Sequence, residues 1–299
     1  MPRKPASSES GPLKMRDIAR IAGVSTATIS RVINNSDRVD RQTAERVRSI
    51  IQALNYIPNS TGTALKSGRS GIYGLIVPNI SNAFFADFVS HFEREVVTRD
   101  QEMMLAITAH SHEEMQRSIR RMLMRGVEAI AVLASEIETS AYESMLHNRV
   151  PLVTLNRLAA EPGVSDVAVE AFTGMKQAIQ HLVELGHSRI GFLGGRAHQT
   201  ISAARESAFR KAMRANRLEI IRHTIQPANF TIEGGRRAMT KLLARPISNS
   251  ATVTAVLCAN DLSAIGAMQA IREAGLTIGR DISVIGLDDI DLCTIVDPP

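Results

Sequence analysis

The sequence predicts an α/β protein: a small basic helical head, a short linker, and a larger body of parallel sheets flanked by helices. Three observations predict it. Charge is uneven along the 299 residues: residues 1–70 hold 12 Lys+Arg against 5 Asp+Glu, a net of +7, and the remaining 23 and 25 give −2. Up to Leu54 the apolar residues fall into three short helical segments. From Ile72 onward, short apolar runs alternate with helix-period stretches, which is the signature of βαβ units.

Composition narrows the function classes. With 44% hydrophobic and 22% charged residues the chain is globular. Its two cysteines, Cys258 and Cys293, form no disulfide framework and match no metal-ligand spacing, which suits a reducing compartment. Residues 1–13 lack the apolar core of a signal peptide, and the low-charge stretch 71–86 is broken by Pro78, Asn79, Ser81 and Asn82. A cytoplasmic protein without a membrane partner is expected, and nothing calls for a cofactor or metal.

In order along the chain, residues 1–13 are Pro/Ser-rich and read as a disordered tail. Residues 14–58 form the head. Its first helix spans about 16–22; its second spans about 26–33, with Ser25 placed to cap it. In the third, Val47, Ile50, Ile51 and Leu54 make one stripe at i, i+3, i+4 and i+7, Asp40 is placed to cap it, and the run Asn55-Tyr56-Ile57-Pro58 ends it. Residues 59–70 are a small, polar linker. Strands are expected at 73–77, 103–107, 129–133, 151–155, 167–169, 190–193, 253–257 and 282–287. The body, 71–299, divides into lobes of about 71–155 and 156–299. Phe84, Phe88, Phe92 and Val96, and Met115, Ile119, Met122 and Leu123, are helix stripes expected in the core, with Phe84 alone kept as a wall of a site.

The segment 15–34, MRDIARIAGVSTATISRVIN, carries the strongest chemistry. Two short helices meet at a tight Gly23-Val24-Ser25 turn, Ala19 is small where they would cross, and Ile18, Val24, Ile29 and Val32 supply a miniature core. This is a helix-turn-helix, whose second helix enters the major groove of DNA. Thr26, Ala27 and Arg31 fall on its exposed side to face base edges, and Arg reads guanine through two hydrogen bonds. Ser25, Thr28, Ser30 and Asn34 are short hydrogen-bonding residues suited to phosphate oxygens. An ordinary helical hairpin would not also concentrate positive charge here.

These residues resemble the lactose-repressor/galactose-repressor (LacI/GalR) family of transcription regulators. The pattern D-[IV]-A-x-x-A-G-V-S-x-x-T-[IV]-S-R-V-[IL]-N stands at 17–34 and N-Y-I-P-N at 55–59. The resemblance continues through IYGLIVPNISNAFF (72–85), HLVELGHSRIGFLGG (181–195), CANDLSAIGA (258–267) and DISVIGLDD (281–289), so it covers nearly the whole chain from Lys14. It implies a homodimer whose two heads bind a pseudo-palindromic double-stranded DNA operator at the nucleoid, usually as a repressor. It also implies a periplasmic-binding-protein-like body that binds a small effector between its lobes. Thr26, Ala27 and Arg31 match the base-reading positions. The linker matches a hinge helix that wedges a leucine, here Leu65, into the minor groove. Gly62 replaces the alanine usual in that hinge, which weakens a helix by about 0.8–1.0 kcal/mol.

For the effector, the resemblance implies contacts from Phe84, Asn156, Ser202, Arg205, Phe230, Asn260 and Asp288. Open α/β sheets bind ligands beyond the carboxyl ends of their strands, and Asn156, Asn260 and Asp288 all follow apolar runs. Acids, amides and a guanidinium beside an aromatic face suit a sugar-like ligand. Asn260, taken alone, could instead cap a helix. Glu170-Ala171 stands where the family commonly has Asp-Asn. Relatives of this type run a few dozen residues past the Asp-Pro-Pro at 297–299, so the second lobe is expected to be incomplete. His181 and His187 lack metalloprotease spacing, no phosphate-binding glycine loop or nucleophile elbow is present, and an enzyme is not expected. A solute receptor with a non-regulatory basic head is the alternative; as a transport receptor it would need an export signal.

Overall fold

The computed structural model describes residues 13–34, 36–57, 69–133, 143–145, 147–155, 163–196, 199–244 and 253–298. The chain forms two compact units, Met1–Ser70 and Gly71–Pro299. Gly62 and Leu65 of the linker, and Asn156, lie outside the described residues.

In the first unit, α1 (Met15–Ala22), α2 (Thr26–Ile33) and α3 (Arg41–Ala53) surround one small core. Ser25 Oγ accepts the Thr28 N–H at 3.1 Å and an Asp40 carboxylate oxygen accepts the Thr43 N–H at 2.9 Å, so both expected caps are in place. The turn from α1 to α2 needs a left-handed residue, and Gly23 supplies it at φ 65°. The Val24 N–H then donates to the Ala19 carbonyl. The same reversal ends α3, with Asn55 at φ 47°, its N–H on Gln52 and the Tyr56 N–H on the Ile51 carbonyl. That reversal turns Tyr56 back into the core with Ile18, Ile29 and Val47. The sequence marks Tyr56 only as part of a helix stop; its packing role comes from the turn.

The second unit carries two parallel sheets. The first has the order β2-β1-β3-β4-β5, from β1 (Ile72–Val77), β2 (Glu102–Ile107), β3 (Ala129–Val132), β4 (Leu152–Leu155) and β5 (Val164–Val167). The second has β7-β6-β8-β9, from β6 (Ile190–Gly194), β7 (Ile225–Pro227), β8 (Ala255–Cys258) and β9 (Ser283–Ile285). Helices α4 (Ala83–Val97), α5 (His112–Met124), α6 (Ala171–Glu184), α7 (Thr200–Ala215), α8 (Ile232–Leu243) and α9 (Asp261–Glu273) cover them. Met115, Ile119 and Met122 pack under the first sheet, while Phe192 stacks on Phe209 under the second with ring centroids 4.8 Å apart.

Two strand expectations change. The strand expected at 167–169 lies earlier, as β5 at Val164–Val167, and pairs in parallel with β4, Leu155 opposite Val167, so the first sheet includes residues past 155. β5 is an edge strand with alternate residues exposed, and it carries no continuous apolar run. β7 was not expected at all: Ile225-Gln226-Pro227 is a three-residue edge strand with one apolar side chain, and edges tolerate proline.

Helices α8 and α9 approach until their backbones touch. A Cβ on Gly266 would lie 1.9 Å from the Ile232 carbonyl oxygen, and one on Gly235 would lie 2.1 Å from that of Ser263. Neither oxygen can move without breaking a helix. Gly266→Ala is therefore expected to destabilise the body by about 1–3 kcal/mol or more, as overpacking does. In thermal unfolding of the full chain this appears as a drop in melting temperature of roughly 3–10 °C. An unchanged melting temperature would contradict the packing.

Candidate functional site

In the first unit the candidate surface is α2. Ser25, Thr26, Ala27 and Arg31 are exposed along it, Asn34 is exposed at its end, and Thr28 and Ser30 are half-buried. The Ser25 and Thr28 hydroxyls lie 2.9 Å apart, so one donates to the other and a single hydroxyl proton of the pair is left to donate outward. Asn34 Nδ2 donates to the Ser30 carbonyl at 2.8 Å, which fixes the amide at the helix end. Thr26, Ala27 and Arg31 form the outward face of a rigid, capped helix.

In the second unit the candidate site is a cavity of about 280 Å³, at the lower end of the range for ligand pockets. Its walls come from the carboxyl ends of strands in both sheets. Asn79 and Asn82 follow β1, Leu133 follows β3, Arg196 follows β6 and Asn260 follows β8. Each sheet reverses its strand order between those two strands, β1 and β3 or β6 and β8, which is where open α/β sheets leave a crevice.

Backbone strain collects here. Ala109 and His110 have φ 48° and 62°, Asn229 and Phe230 have 58° and 59°, and Asp288 and Asp289 have 119° and 56°. Each left-handed pair follows a strand, β2, β7 or β9, and each places a side chain in the cavity wall: His110, Phe230 and Asp288. Such conformations cost about 1–3 kcal/mol apiece and cluster where a structure holds a functional geometry.

Arg205 and Asp288 form the electrostatic centre. Their side chains are only 15% and 7% exposed, with Nη2 3.4 Å from Oδ1. Arg205 Nη1 also donates to the Ala259 carbonyl, and its guanidinium lies 5.6 Å from the centre of the Phe230 ring. Burial raises the Asp288 carboxyl to about 6 despite the neighbouring guanidinium, and burial lowers Arg205. Asp261 braces the loop that carries Asp288, its Oδ2 accepting the Ile290 N–H at 3.0 Å.

Of the expected effector residues, Phe84, Arg205, Phe230, Asn260 and Asp288 line this cavity. Ser202 is absent from its lining. Ile201 and Arg205, four apart, share the face of α7 that looks into the cavity; Ser202 is rotated to pack against Gly195, its buried Oγ without a partner among the described residues. Asn260 does cap α9: Oδ1 accepts from Ser263 N at 3.0 Å and Ser263 Oγ at 2.6 Å, and Nδ2 donates to the Phe230 carbonyl at 3.3 Å. One amide hydrogen remains for a ligand. Glu170 likewise caps α6, accepting from the Phe172 and Thr173 N–H groups.

Arg196, Gln199 and His110 line the cavity and were not singled out from sequence. Position immediately after a parallel strand is the signal that finds Arg196. His187 is structural: its ring nitrogens lie 3.0 Å from the Thr254 and Ser283 hydroxyls. Among the described residues no cluster of His, Cys, Asp or Glu is arranged for a metal, and no helix is long and apolar enough to cross a membrane.

Comparison with known proteins follows the same division. Residues 14–59 match the family described as bacterial regulatory proteins, lacI family, and residues 179–299 match a periplasmic binding protein-like domain. The ribose operon repressor of Haemophilus influenzae is 30% identical over 285 residues, covering 95% of this chain and 84% of that protein. The transcriptional repressor CytR of Escherichia coli is 30% identical over 95% of this chain and 82% of its own length. Among solved structures, the Lac repressor dimer bound to operator and the anti-inducer ONPF superposes with TM-score 0.85 at 25% identity, covering 97% of this chain and 86% of that one. A regulator from Enterococcus faecium with bound ribose gives TM-score 0.65 at 26% identity over 76% of this chain and 81% of its own.

The raised Asp288 carboxyl has a consequence in solution. Its folded value near 6 exceeds the ordinary 3.8, so between these values the folded chain holds a proton that the unfolded chain has released. The resulting stabilisation is complete below the unfolded value and is lost as pH rises through 6. In urea unfolding, the stability of the natural chain relative to Asp288→Asn should fall by about 1.4 kcal/mol between pH 5 and pH 7.5. A difference that stays flat would place the Asp288 carboxylate in water.

Proposed function

Because this chain belongs to the LacI family of bacterial regulatory proteins, we propose that it is a homodimeric transcriptional repressor whose hold on operator DNA is set by a small sugar-like ligand in the cleft of its body. The observation that carries the DNA reading is the outward face of α2. Thr26, Ala27 and Arg31 stand exposed on a helix capped at its N-terminus and fixed by a tight glycine turn. In the major groove Arg31 reads a guanine edge, Thr26 and Ala27 fit their base pairs, and Ser25, Thr28, Ser30 and Asn34 set the register on phosphates. Two heads related by a two-fold axis require a palindromic operator, and Leu65 of each linker enters the minor groove at its centre. Such a protein works on the chromosome, in the cytoplasm at the nucleoid.

In the body, the ligand's hydroxyls pair with Arg205, Asp288 and the remaining Asn260 hydrogen, and its apolar face lies on Phe230 and Phe84. Asn156 completes this ligand set, whereas Ser202, packed against Gly195, takes no part in it. Relatives named for ribose, and one with ribose bound, favour a sugar. The ligand changes DNA affinity only as far as it binds the two states of the dimer differently.

Selection from random duplex DNA with the full chain tests the proposal. It should recover a palindrome, and Arg31→Ala should weaken binding to it by about 1–3 kcal/mol while relaxing the preference at one position per half-site. Weak binding that falls with salt and shows no sequence preference would contradict it. The hinge gives a second expectation. Gly62→Ala, by removing about 0.8–1.0 kcal/mol of helix cost in each of two protomers, should tighten operator binding roughly 15–30-fold, read by fluorescence anisotropy. Unchanged affinity would mean that the segment is not helical on DNA.

A further inference from the structure

We propose that the cleft's ligand carries an anionic group, a phosphate or carboxylate borne on a sugar, and that Arg196 receives it; this rests on reading the cleft as the effector site. The cavity lining holds two guanidinium groups, Arg196 and Arg205, against one carboxylate, Asp288. Arg205 is already engaged by Asp288, the Ala259 carbonyl and the Phe230 ring. Arg196 is exposed at the cavity, and no ion pair or side-chain hydrogen bond links it to any described residue. Among the described residues that line the cavity there is thus one more guanidinium than carboxylate, and Arg196 is the guanidinium without a partner.

That charge is delivered by rigid backbone. Arg196 follows β6 and Gly195 at the strand-order reversal of the second sheet. A Cβ on Gly195 would lie 2.1 Å from Phe230 Cζ and 2.2 Å from Ser202 Oγ, so the chain entering Arg196 is pressed against the aromatic ring that forms the ligand wall. Gln199 and Ile201 at the start of α7, and Asn260 at the start of α9, line the same cavity, so two helix N-termini add to its positive potential. A guanidinium pairs with carboxylate or phosphate through two parallel hydrogen bonds. A neutral sugar would satisfy Arg205 and Asp288 and leave Arg196 in water.

The experiment is calorimetric titration of the full chain with ribose, ribose 5-phosphate and ribonate, with glucose, glucose 6-phosphate and gluconate, and with inorganic phosphate alone. Operator binding is followed in parallel. At least one anionic sugar should bind ten-fold or more tightly than its neutral parent, with an affinity that falls as salt rises. The phosphate and acid arms identify which anion is used. Arg196→Gln should weaken the anionic ligand ten-fold or more and leave the neutral parent within two-fold, which also reports that the variant is folded. Arg196→Lys should recover part of the loss. Neutral sugars binding as tightly as their anionic derivatives, equal weakening of both by Arg196→Gln, or binding of no sugar would each overturn the proposal. A neutral sugar that alters operator binding at lower concentration than its anionic derivatives would overturn it while leaving the regulator reading intact, whereas failure to bind any preferred DNA would remove that reading itself.

Discussion

The cleft depends on holding one guanidinium and one carboxylate out of water. Arg205 and Asp288 are almost wholly buried, and burial of a single charge without its partner typically costs about 3–5 kcal/mol. The neighbourhood is arranged to prevent that. The Ala259 carbonyl takes one arm of the guanidinium and the Phe230 ring covers it; Asp261 anchors the loop beyond Asp288 through the Ile290 N–H. Phe230 and Asp288 reach their places only through left-handed backbone. The pair, the ring and the strained turns support one another, and together they make a polar floor to the cavity.

The sheets explain why such a floor exists where it does. Both reverse strand order at their first strand, β2-β1-β3 in one and β7-β6-β8 in the other. A parallel sheet sends all its carboxyl ends to one edge, so every loop at the cavity comes from that edge and every following helix begins there. Amide-rich starts such as Asn82 before α4 and Asn260 before α9 then serve twice, as helix caps and as cavity wall. The head uses the opposite economy. It has few residues, no sheet among those described, and two left-handed helix endings at Gly23 and Asn55 that fold three short helices onto one core. What that core secures is the exposed face of α2.

Much of this was legible in the sequence because the determinants are local. The caps Ser25 and Asp40, the glycine turn and the helical stripe of α3 each lie within a few residues of what they control. The inner strands announced themselves as apolar runs because both of their faces are covered. Of the edge strands, β2 and β9 were legible as apolar runs, but β5 alternates and β7 is three residues long, so neither of these differs from loop until its partner is known. Side-chain direction was the other gap. Ser202 and Arg205 lie on one helix three residues apart, yet one packs on Gly195 and the other faces the cavity. Arg196 and His110 sit in loops with no motif of their own, and only the convergence of strand ends brings them to one site. Tyr56 was visible as punctuation and became core through the backbone reversal before it.

The proposed function requires that ligand in the cleft and operator on α2 be coupled through one protein. Linkage tests it directly, because coupling between two binding sites is reciprocal. Once a sugar that binds the body is in hand, the measurement is operator affinity of the full chain with and without saturating sugar, beside sugar affinity with and without saturating operator. Coupled sites should change both affinities in the same direction and by the same factor, typically 5–150-fold, a coupling of about 1–3 kcal/mol. Operator affinity unmoved by saturating sugar would mean that the two sites share a chain without sharing a state, and would contradict the proposed function.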